Sequence, residues 1–426
     1  MACAEPRPAF DGPGLRLPVK RVTAGETTRN NYERRPYPGT ERRAQIEKGG
    51  TLPAVKWILA LGRPGLPPPQ RILVAGCGSG AEAFFLRRQF PSAEIVAVDF
   101  SPRSIALARR LQRSAGFTRP IQFEVADLMD LQLPNQTGGG FDLITCHGVL
   151  SYIPQPEIAL AHLGACLRPD GTLYLGVNGA AHPANRLRPW LESFGLSVQE
   201  LPNERRLRKL LGVWDVLNDD AQGELATMPA TYLAGDVCGS HFNNWPIEQW
   251  RKAAHQTGWE IAGLGILPPA LSLLLATDQH HLLYPATLGA LAEILDHARP
   301  AGFHRLVLRR SAAGSLDALN PTATDAPLVW TGLYSVRFRS GDASSRVRAA
   351  FRSMVLDLPF ESTLGIADAQ ILRRLAASGS LPAADFARWR RRKTIRPLLW
   401  LWSHLGVIAV GNPSPPAKAP GPFKTE

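Results

Sequence analysis

A glycine-rich stretch followed by an acidic residue carries the clearest chemical signal in this sequence. Gly76, Gly78 and Gly80 come directly after a short apolar run and directly before a helical pattern. Glycines are required where a backbone turns sharply and approaches a ligand closely. Asp99 ends the next apolar run, nineteen residues past Gly80, where a carboxylate can accept hydrogen bonds from both hydroxyls of a ribose. The pattern predicts a site for a cofactor that contains a nucleoside.

Considered alone, this stretch fits either a nicotinamide dinucleotide or another cofactor that contains a nucleoside. The glycines and Ala81 also satisfy G-x-G-x-x-A, the pattern of nicotinamide dinucleotide sites, so an NAD-dependent oxidoreductase is one alternative. The segments that follow distinguish the two classes. A second acidic residue, Asp127, follows a third strand pattern, and two further strand patterns lie at Phe141–Cys146 and Thr172–Val177. This order and spacing favour a nucleoside cofactor other than NAD.

Alternating strand and helix patterns in residues 71–177 must position these side chains. Ser101 and Pro102 predict a helix start, with the serine as N-cap and the proline at the first helical position. Such alternation implies βαβ units on a parallel sheet. The alternation breaks after this region and resumes once, with a helix and a strand within residues 245–263. We therefore expect residues 179–241 to form a lid or insertion, and the later strand to complete the sheet.

In these motifs, residues 71–177, and more weakly the chain up to Gly263, resemble the class I S-adenosylmethionine (SAM)-dependent methyltransferases. The resemblance implies an α/β fold with a doubly wound, mostly parallel seven-stranded sheet of the Rossmann-like methyltransferase type, and SAM as the cofactor. The cofactor-binding residues that it implies are Gly76, Cys77, Gly78, Gly80, Asp99, Phe100, Asp127, Leu128, Cys146 and His147.

The resemblance also assigns parts of SAM to these positions. The glycines line its methionine end, Asp99 binds the ribose hydroxyls and Phe100 flanks the adenine. Asp127 takes the adenine amino group, with Leu128 on the ring. Cys146 and its neighbour His147 lie where cofactor and acceptor meet.

Catalysis by such a site needs little from the protein beyond orientation and a closed environment, because SAM is already activated. A general base is required only if the acceptor is a poorly acidic hydroxyl or a protonated amine. His147 and Tyr152 are the candidate catalytic residues, and His182 and His241 are weaker candidates. We expect the cysteines of this region to be packing residues rather than nucleophiles.

The stretch after the fourth strand pattern bears on the acceptor. Enzymes that methylate exocyclic amino groups of nucleic-acid bases usually carry Asn/Asp-Pro-Pro-aromatic there, whereas this chain has Thr-Cys-His-Gly-Val-Leu-Ser-Tyr-Ile-Pro at 145–154. That stretch looks like the variant of small-molecule and some protein methyltransferases. We expect a small molecule or a protein side chain as acceptor. A nucleic-acid-binding or SAM-sensing regulatory protein with the same fold is the alternative.

The predicted organisation has a cofactor-binding domain flanked by less informative segments. Residues 32–38 resemble a segment that precedes the core in some bacterial methyltransferases, and we expect Tyr32 or Tyr37 near SAM. The predicted units are an N-terminal arm (1–50), the SAM-binding domain (51–265), a C-terminal α+β accessory domain (266–412), which could be winged-helix-like at 350–412, and a disordered tail (413–426).

Composition sets the remaining expectations. The chain has 48 Lys and Arg against 36 Asp and Glu, a formal net charge of +12, but the excess is spread along it as arginine, so nucleic acid is not a favoured partner. A concentration of basic residues at 388–396 lies outside the catalytic domain.

Five cysteines without a C-x-x-C fit neither a disulfide framework nor a zinc site, and we expect no metal. With no apolar signal and no long apolar window, we expect a cytoplasmic protein without a transmembrane segment.

Overall fold

A computed structural model gives the fold of most of the chain. The residues that it describes are 29, 32–34, 36–37, 55–63, 66–131, 139–196, 204–217, 225–238, 243–264, 284, 287–310, 327–340, 345–353 and 359–410. None of the helices in these ranges combines the length and the apolar composition needed to cross a bilayer.

Seven strands form the central sheet. They are β1 (Arg71–Ala75), β2 (Glu94–Asp99), β3 (Gln122–Val125), β4 (Phe141–His147), β5 (Leu167–Asn178), β6 (Trp259–Leu264) and β7 (Phe303–Arg310). Their order is β3-β2-β1-β4-β5-β7-β6. The first five are mutually parallel, and β7 is antiparallel to both of its neighbours. This arrangement confirms the predicted doubly wound, mostly parallel sheet of the Rossmann-like methyltransferase type.

Helices cover both faces of this sheet. They are α1 (Val55–Gly62), α2 (Ala81–Gln89), α3 (Pro102–Ala115), α4 (Pro156–Cys166), α7 (Ile247–Gln256) and α8 (Leu288–Ala298). The helices α5 (Ala184–Ser193) and α6 (Glu204–Leu217) lie in the insertion. In β1, Ile72 and Val74 pack with α1, α2 and α3, whereas Leu73 and Ala75 pack with α4 and α7. Both sides of the strand are therefore buried, which is why it is a continuous apolar run.

The helix start predicted at Ser101 is confirmed. The Ser101 hydroxyl accepts a hydrogen bond from the Ser104 amide at 3.1 Å, Pro102 occupies the first turn, and Gly116 ends the helix in a left-handed conformation. These local signals fix where α3 begins, directly after the carboxyl end of β2.

The sheet extends past residue 265, where the sequence predicted the end of the domain. Strand β7 inserts between β5 and β6, with Tyr174 paired to Val307 and Ile261 paired to Leu308. The strand at 303–310 thus belongs to the sheet and not to the C-terminal domain in which it was predicted. The predicted domain boundary at residue 265 divides the sheet. It falls between β6 and β7 in the chain, whereas β7 lies between β5 and β6 in the sheet.

The insertion at 179–241 is helical in its described parts. It contains α5 (Ala184–Ser193), α6 (Glu204–Leu217), a short helical turn Ala230–Tyr232 and a π-helical turn Leu233–Val237. The Cys238 amide donates to the Leu233 carbonyl at 2.8 Å, five residues earlier, which is the bond that defines a π turn. Leucines from α5, α6 and the π-helical turn form an apolar cluster separate from the two faces of the sheet. The insertion therefore has a small core of its own.

The C-terminal part contains two further three-stranded antiparallel sheets and three helices. The strands are β8 (Leu328–Trp330), β9 (Tyr334–Ser340), β10 (Arg346–Ser353), β11 (Pro359–Gly365), β12 (Ser380–Leu381) and β13 (Ile408–Val410), in the orders β11-β10-β9 and β12-β8-β13. The helices are α9 (Ile366–Ser378), α10 (Ala383–Arg390) and α11 (Arg396–His404). A winged-helix-like unit was predicted at 350–412, and the two strands β12 and β13 in that range pair with β8, which lies outside it.

Arginines account for two basic regions of the C-terminal part. In the predicted basic run, Arg392 pairs with Asp368 at 2.6 Å and Arg396 donates to the Arg390 carbonyl at 2.8 Å. These two arginines therefore make contacts within the fold. A second region escaped the sequence analysis. Strand alternation and the register of β9 with β10 place five arginines on one face of their sheet: Arg337, Arg339, Arg346, Arg348 and Arg352.

Candidate cofactor and acceptor site

The glycine-rich loop lies at the carboxyl edge of the sheet, between β1 and β4, where the strand order reverses. Clefts at such switch points are the usual ligand sites of open α/β sheets. Gly76, Gly78 and Gly80 have φ angles of 71°, 52° and 96°, a region that side chains rarely adopt. A Cβ on Gly76 would lie 2.2 Å from the Val149 Cγ2 atom. The loop thus needs glycine both for its conformation and for its close packing.

Asp99 is held directly under this loop. Its carboxylate accepts hydrogen bonds from the Gly78 and Ser101 amides, both at 2.9 Å, and the side chain is 8% exposed. Burial raises the pKa of Asp99 to about 6, against the lowering effect of these two bonds, and the charge of Glu33 adds to the increase. The glycine-rich loop and Asp99, both selected from the sequence, are therefore in contact through the bond from Gly78 to Asp99.

The N-terminal arm lies over the same edge. The Ser79 amide donates to the Tyr37 carbonyl at 2.9 Å. The rings of Tyr32 and Phe100 meet edge to face at 5.9 Å, and the Arg29 guanidinium lies 5.7 Å from the centre of the Phe100 ring. Tyr32 and Tyr37 thus lie beside residues predicted to bind SAM.

Asp127 and Leu128 lie at the end of β3, next to Asp99. The Ala126 amide donates to the Asp99 carbonyl at 3.0 Å, and the Asp127 carboxylate accepts from the Met129 amide at 2.9 Å. Asp127 is exposed and Leu128 is buried. Asp127 caps a helical turn in this structure, and its role toward adenine stays a prediction.

His147 is a neutral, hydrogen-bonded ring in this structure. Its Nδ1 atom lies 2.8 Å from the Tyr174 hydroxyl, and it stacks on Tyr174 and packs against Phe303. Burial lowers the pKa of His147 to about 4, and the charge of Arg305 adds to the effect. A Cβ on the opposite residue, Gly176, would lie 2.6 Å from Nδ1, so a glycine is needed to seat the ring. A ring held in this way is a poor proton acceptor near neutral pH.

Of the two weaker histidine candidates, the described structure includes His182. Burial lowers the pKa of His182 to about 4, and its Nδ1 atom accepts from the Ala184 amide at 3.3 Å. That bond fixes the start of α5. His241 lies outside the described residues.

Tyr152 has a partner that the sequence did not reveal. Its hydroxyl donates to the carboxylate of Asp236, which lies in the π-helical turn of the insertion. The Asn178 amide group donates to the Tyr152 oxygen at 3.3 Å. Burial raises the pKa of Asp236 to about 6, whereas the bond from Tyr152 lowers it. Burial raises the pKa of Tyr152 well above 10, and the charge of Asp236 adds to it.

The loop that carries Tyr152, residues 148–153, is tied down from two sides. The Asn178 amide at the end of β5 donates to the Ser151 hydroxyl at 2.7 Å. Asn243, which follows the insertion, donates from its backbone to the Ser151 carbonyl at 2.6 Å and from its side chain to the Leu150 and Ile153 carbonyls at 3.1 and 2.7 Å. The position of Tyr152 is thus determined by the sheet and by the insertion together.

Tyr32 connects the two halves of the site. On one side its ring contacts Phe100, the residue after Asp99. On the other, its hydroxyl would lie 3.2 Å from a Cβ on Gly235, the residue before Asp236. Burial raises the pKa of Tyr32 well above 10, and the charges of Asp236, Tyr37 and Asp99 add to the increase. The predicted ribose carboxylate and the Tyr152–Asp236 pair therefore border one tyrosine.

The cysteines near the loop are buried packing residues. Burial raises the pKa of Cys77 and of Cys146, and the charge of Asp99 adds to the first and that of Glu82 to the second. Glu82, which the sequence analysis did not select, begins α2 beside Thr145, and burial raises its pKa to about 7. Thiols with raised pKa values are weak nucleophiles at neutral pH.

Comparisons with known proteins agree with this geometry. Residues 73–173 match the family model of a methyltransferase domain. An uncharacterized protein of Synechococcus sp. is 41% identical over 118 residues, which are 28% of this chain and 26% of that protein. The demethylmenaquinone methyltransferase of Thermus thermophilus is 35% identical over 105 residues, 25% of this chain and 46% of that enzyme. The chain thus spans less than half the length of these curated relatives.

Among solved structures, PKMT2 from Rickettsia typhi in complex with AdoHcy aligns with a TM-score of 0.47 and 20% sequence identity. The alignment covers 86% of this chain and 76% of that one.

Proposed function

We propose that this protein transfers the methyl group of SAM to a small molecule or a protein side chain, since residues 73–173 match the family model of a methyltransferase domain. The observation that carries the proposal is the contact between the Asp99 carboxylate and the Gly78 amide at 2.9 Å. It joins a ribose-type acceptor to a loop whose backbone can approach a ligand closely.

The residues at this edge fit SAM in chemistry. The glycine loop lacks side chains where the methionine end would lie, and the Asp99 carboxylate can accept from ribose hydroxyls. Phe100 is partly exposed and offers a ring beside that carboxylate. When bound, SAM supplies a methyl group that is already activated as a sulfonium. The protein must then orient the acceptor, exclude water and receive one proton from the acceptor.

Tyr152 and Asp236 are the residues that we assign to that proton. The Tyr152 hydroxyl is bonded to Asp236 and to Asn178, so its direction is fixed. Asp236, with a pKa of about 6, is largely ionised at neutral pH and can receive a proton through the Tyr152 oxygen. His147, with its Nδ1 atom bonded to Tyr174, positions the neighbouring strand end instead.

Isothermal titration with S-adenosylhomocysteine tests the proposal. We expect micromolar binding by the wild-type protein and at least about tenfold weaker binding by Asp99→Ala, because a charge-assisted bond is lost. Glu94→Gln is the matched control, since Glu94 lies at the opposite end of β2 and pairs with Arg71. Binding of NAD(H) in place of S-adenosylhomocysteine would refute the assignment.

A further inference from the structure

The Asp236 carboxylate is surrounded by tyrosines from three separate segments. Tyr152 contributes a hydrogen bond from the loop after β4. Tyr32 reaches the π-helical turn from the N-terminal arm, with its hydroxyl 3.2 Å from the Cβ position of Gly235. Tyr232 directly precedes that turn; burial raises its pKa to about 12, and the charge of Asp236 adds to the increase. Aromatic groups around one carboxylate thus form a compact acidic pocket.

This pocket carries no positive charge of its own in the described structure. Among the residues whose placement is known, no Lys, Arg or His lies within ion-pair distance of Asp236. Asp236 is only partly exposed as a residue. Enclosing a carboxylate is costly unless a cation or several donors compensate it. A partly buried carboxylate that has no cationic partner in the described structure therefore suits a cationic ligand.

We propose that Asp236, Tyr152, Tyr32 and Tyr232 form a binding site for a protonated amine, and that the methyl acceptor is therefore an amino group. This inference rests on the function proposed above, since it identifies the acceptor of the same site. Carboxylates attract ammonium groups, and aromatic faces attract cations through the ring quadrupole. A neutral hydroxyl acceptor would leave the carboxylate uncompensated.

The pair of Tyr152 and Asp236 also provides the proton transfer that an amine requires. One proton passes from the ammonium to the Tyr152 oxygen while the Tyr152 proton passes to Asp236, leaving a neutral amine and a carboxylic acid. The nitrogen lone pair then forms a bond to the methyl carbon as the carbon–sulfur bond breaks, with its electron pair left on sulfur. The products are a methylammonium and the neutral thioether S-adenosylhomocysteine.

Binding of two simple probes to the protein loaded with S-adenosylhomocysteine tests this site without turnover. The probes are n-butylammonium and n-butanol, which have the same alkyl chain and differ in charge. We expect n-butylammonium to bind at least about tenfold more tightly than n-butanol, in line with a charge held against a fixed carboxylate. This comparison uses the wild-type protein and does not depend on whether a variant folds.

Two variants test whether Asp236 causes the preference for n-butylammonium over n-butanol. Asp236→Asn should remove at least about tenfold of the n-butylammonium affinity and leave n-butanol binding unchanged. Glu192→Gln, an exposed carboxylate on α5 of the same insertion, should change neither. Equal binding of both probes, or an unchanged n-butylammonium affinity in a folded Asp236→Asn protein, would overturn the proposal.

The two proposals fail in different ways. If S-adenosylhomocysteine does not bind the wild-type protein, the methyltransferase function is wrong. If it binds, and n-butylammonium shows no preference over n-butanol, only the amine acceptor is wrong. A hydroxyl acceptor served by the same pair would give that second result.

Discussion

Tyr152 and Asp236 stand 84 positions apart in the sequence and share a hydrogen bond at the carboxyl edge of the sheet. Tyr152 lies on the loop after β4 and Asp236 on a π-helical turn of the insertion. Such turns are frequent at functional sites because their wider hydrogen bonding displaces one residue from the helical pattern. The pair joins a core strand of the domain to a segment that is outside its family match.

Replacement of Asp236 by asparagine should separate catalysis from cofactor binding. We expect Asp236→Asn to reduce kcat by about 100-fold or more, a typical contribution of a general base, with S-adenosylhomocysteine affinity within about twofold of wild type. Burial raises the pKa of Asp236 on folding, so its ionised form destabilises the fold, and this cost grows as the pH rises above the ordinary value of 3.8 and is fully present above about pH 6. The asparagine variant should therefore melt no lower than wild type at pH 8. A loss of both stability and cofactor affinity would point to a structural role.

Cofactor affinity should depend on pH through Asp99. Its pKa in the ligand-free protein is about 6, and only the carboxylate can accept from both ribose hydroxyls. Below pH 6 we expect the association constant for S-adenosylhomocysteine to fall by up to about tenfold per pH unit. Titrations between pH 5 and 8 measure this slope, which Asp99→Asn should flatten. A wild-type affinity that is constant over this range would contradict the assignment.

Two glycines with the same backbone conformation make a matched test of the loop. Gly76 has φ 71° and a Cβ position 2.2 Å from Val149, whereas Gly116 has φ 66° and open space within 4 Å. Gly116→Ala should cost about 1 kcal/mol of unfolding free energy, from the left-handed conformation alone. Gly76→Ala should cost roughly 1–3 kcal/mol more, because the methyl group overlaps with Val149. Chemical denaturation measures both, and equal losses would show that the loop tolerates the side chain.

The double variant Gly76→Ala with Val149→Ala isolates the steric part. Removing the valine methyls should recover part of the lost stability, because a clash couples the two positions. We expect cofactor affinity to remain reduced, since alanine at position 76 still strains the left-handed conformation that the loop requires. Additive losses would indicate that the two residues do not interact.

Asn243 should control the placement of Tyr152. Its side chain donates to the carbonyls of Leu150 and Ile153, so Asn243→Ala leaves two carbonyls without these donors. We expect a loss of about 1–3 kcal/mol in stability and a larger effect on turnover than on S-adenosylhomocysteine affinity. Gln249→Ala, at an exposed amide side chain on α7, is the control and should change turnover little. An unchanged kcat for Asn243→Ala would show that the loop holds its position by other contacts.

The parts of the fold that the sequence predicted are those with local signals. The strands of the first βαβ units are short apolar runs, and the turn into α2 needs glycine at three positions with positive φ. The start of α3 is specified by Ser101 and Pro102, whose effects act within one helical turn. These features depend on neighbours in the sequence, so one sequence is sufficient to find them.

The parts that were missed depend on contacts between distant segments. Asp236 is one acidic residue in a helical stretch, and nothing adjacent to it shows that Tyr152 will be its partner. The arginine-bearing strands β9 and β10 alternate charge with apolar residues, and only their pairing shows that the arginines share a face. The membership of β7 in the main sheet is likewise a matter of pairing across a long connection.

The position of β7 also imposes an order on assembly. Among the described residues β6 pairs with β7 alone, so residues 259–264 join this sheet through residues 303–310, which are made later. During synthesis, β1 to β5 can form a five-stranded sheet before β7 is available to pair with the edge of β5. An unpaired edge is a template for wrong pairing, so the addition of β7 protects β5.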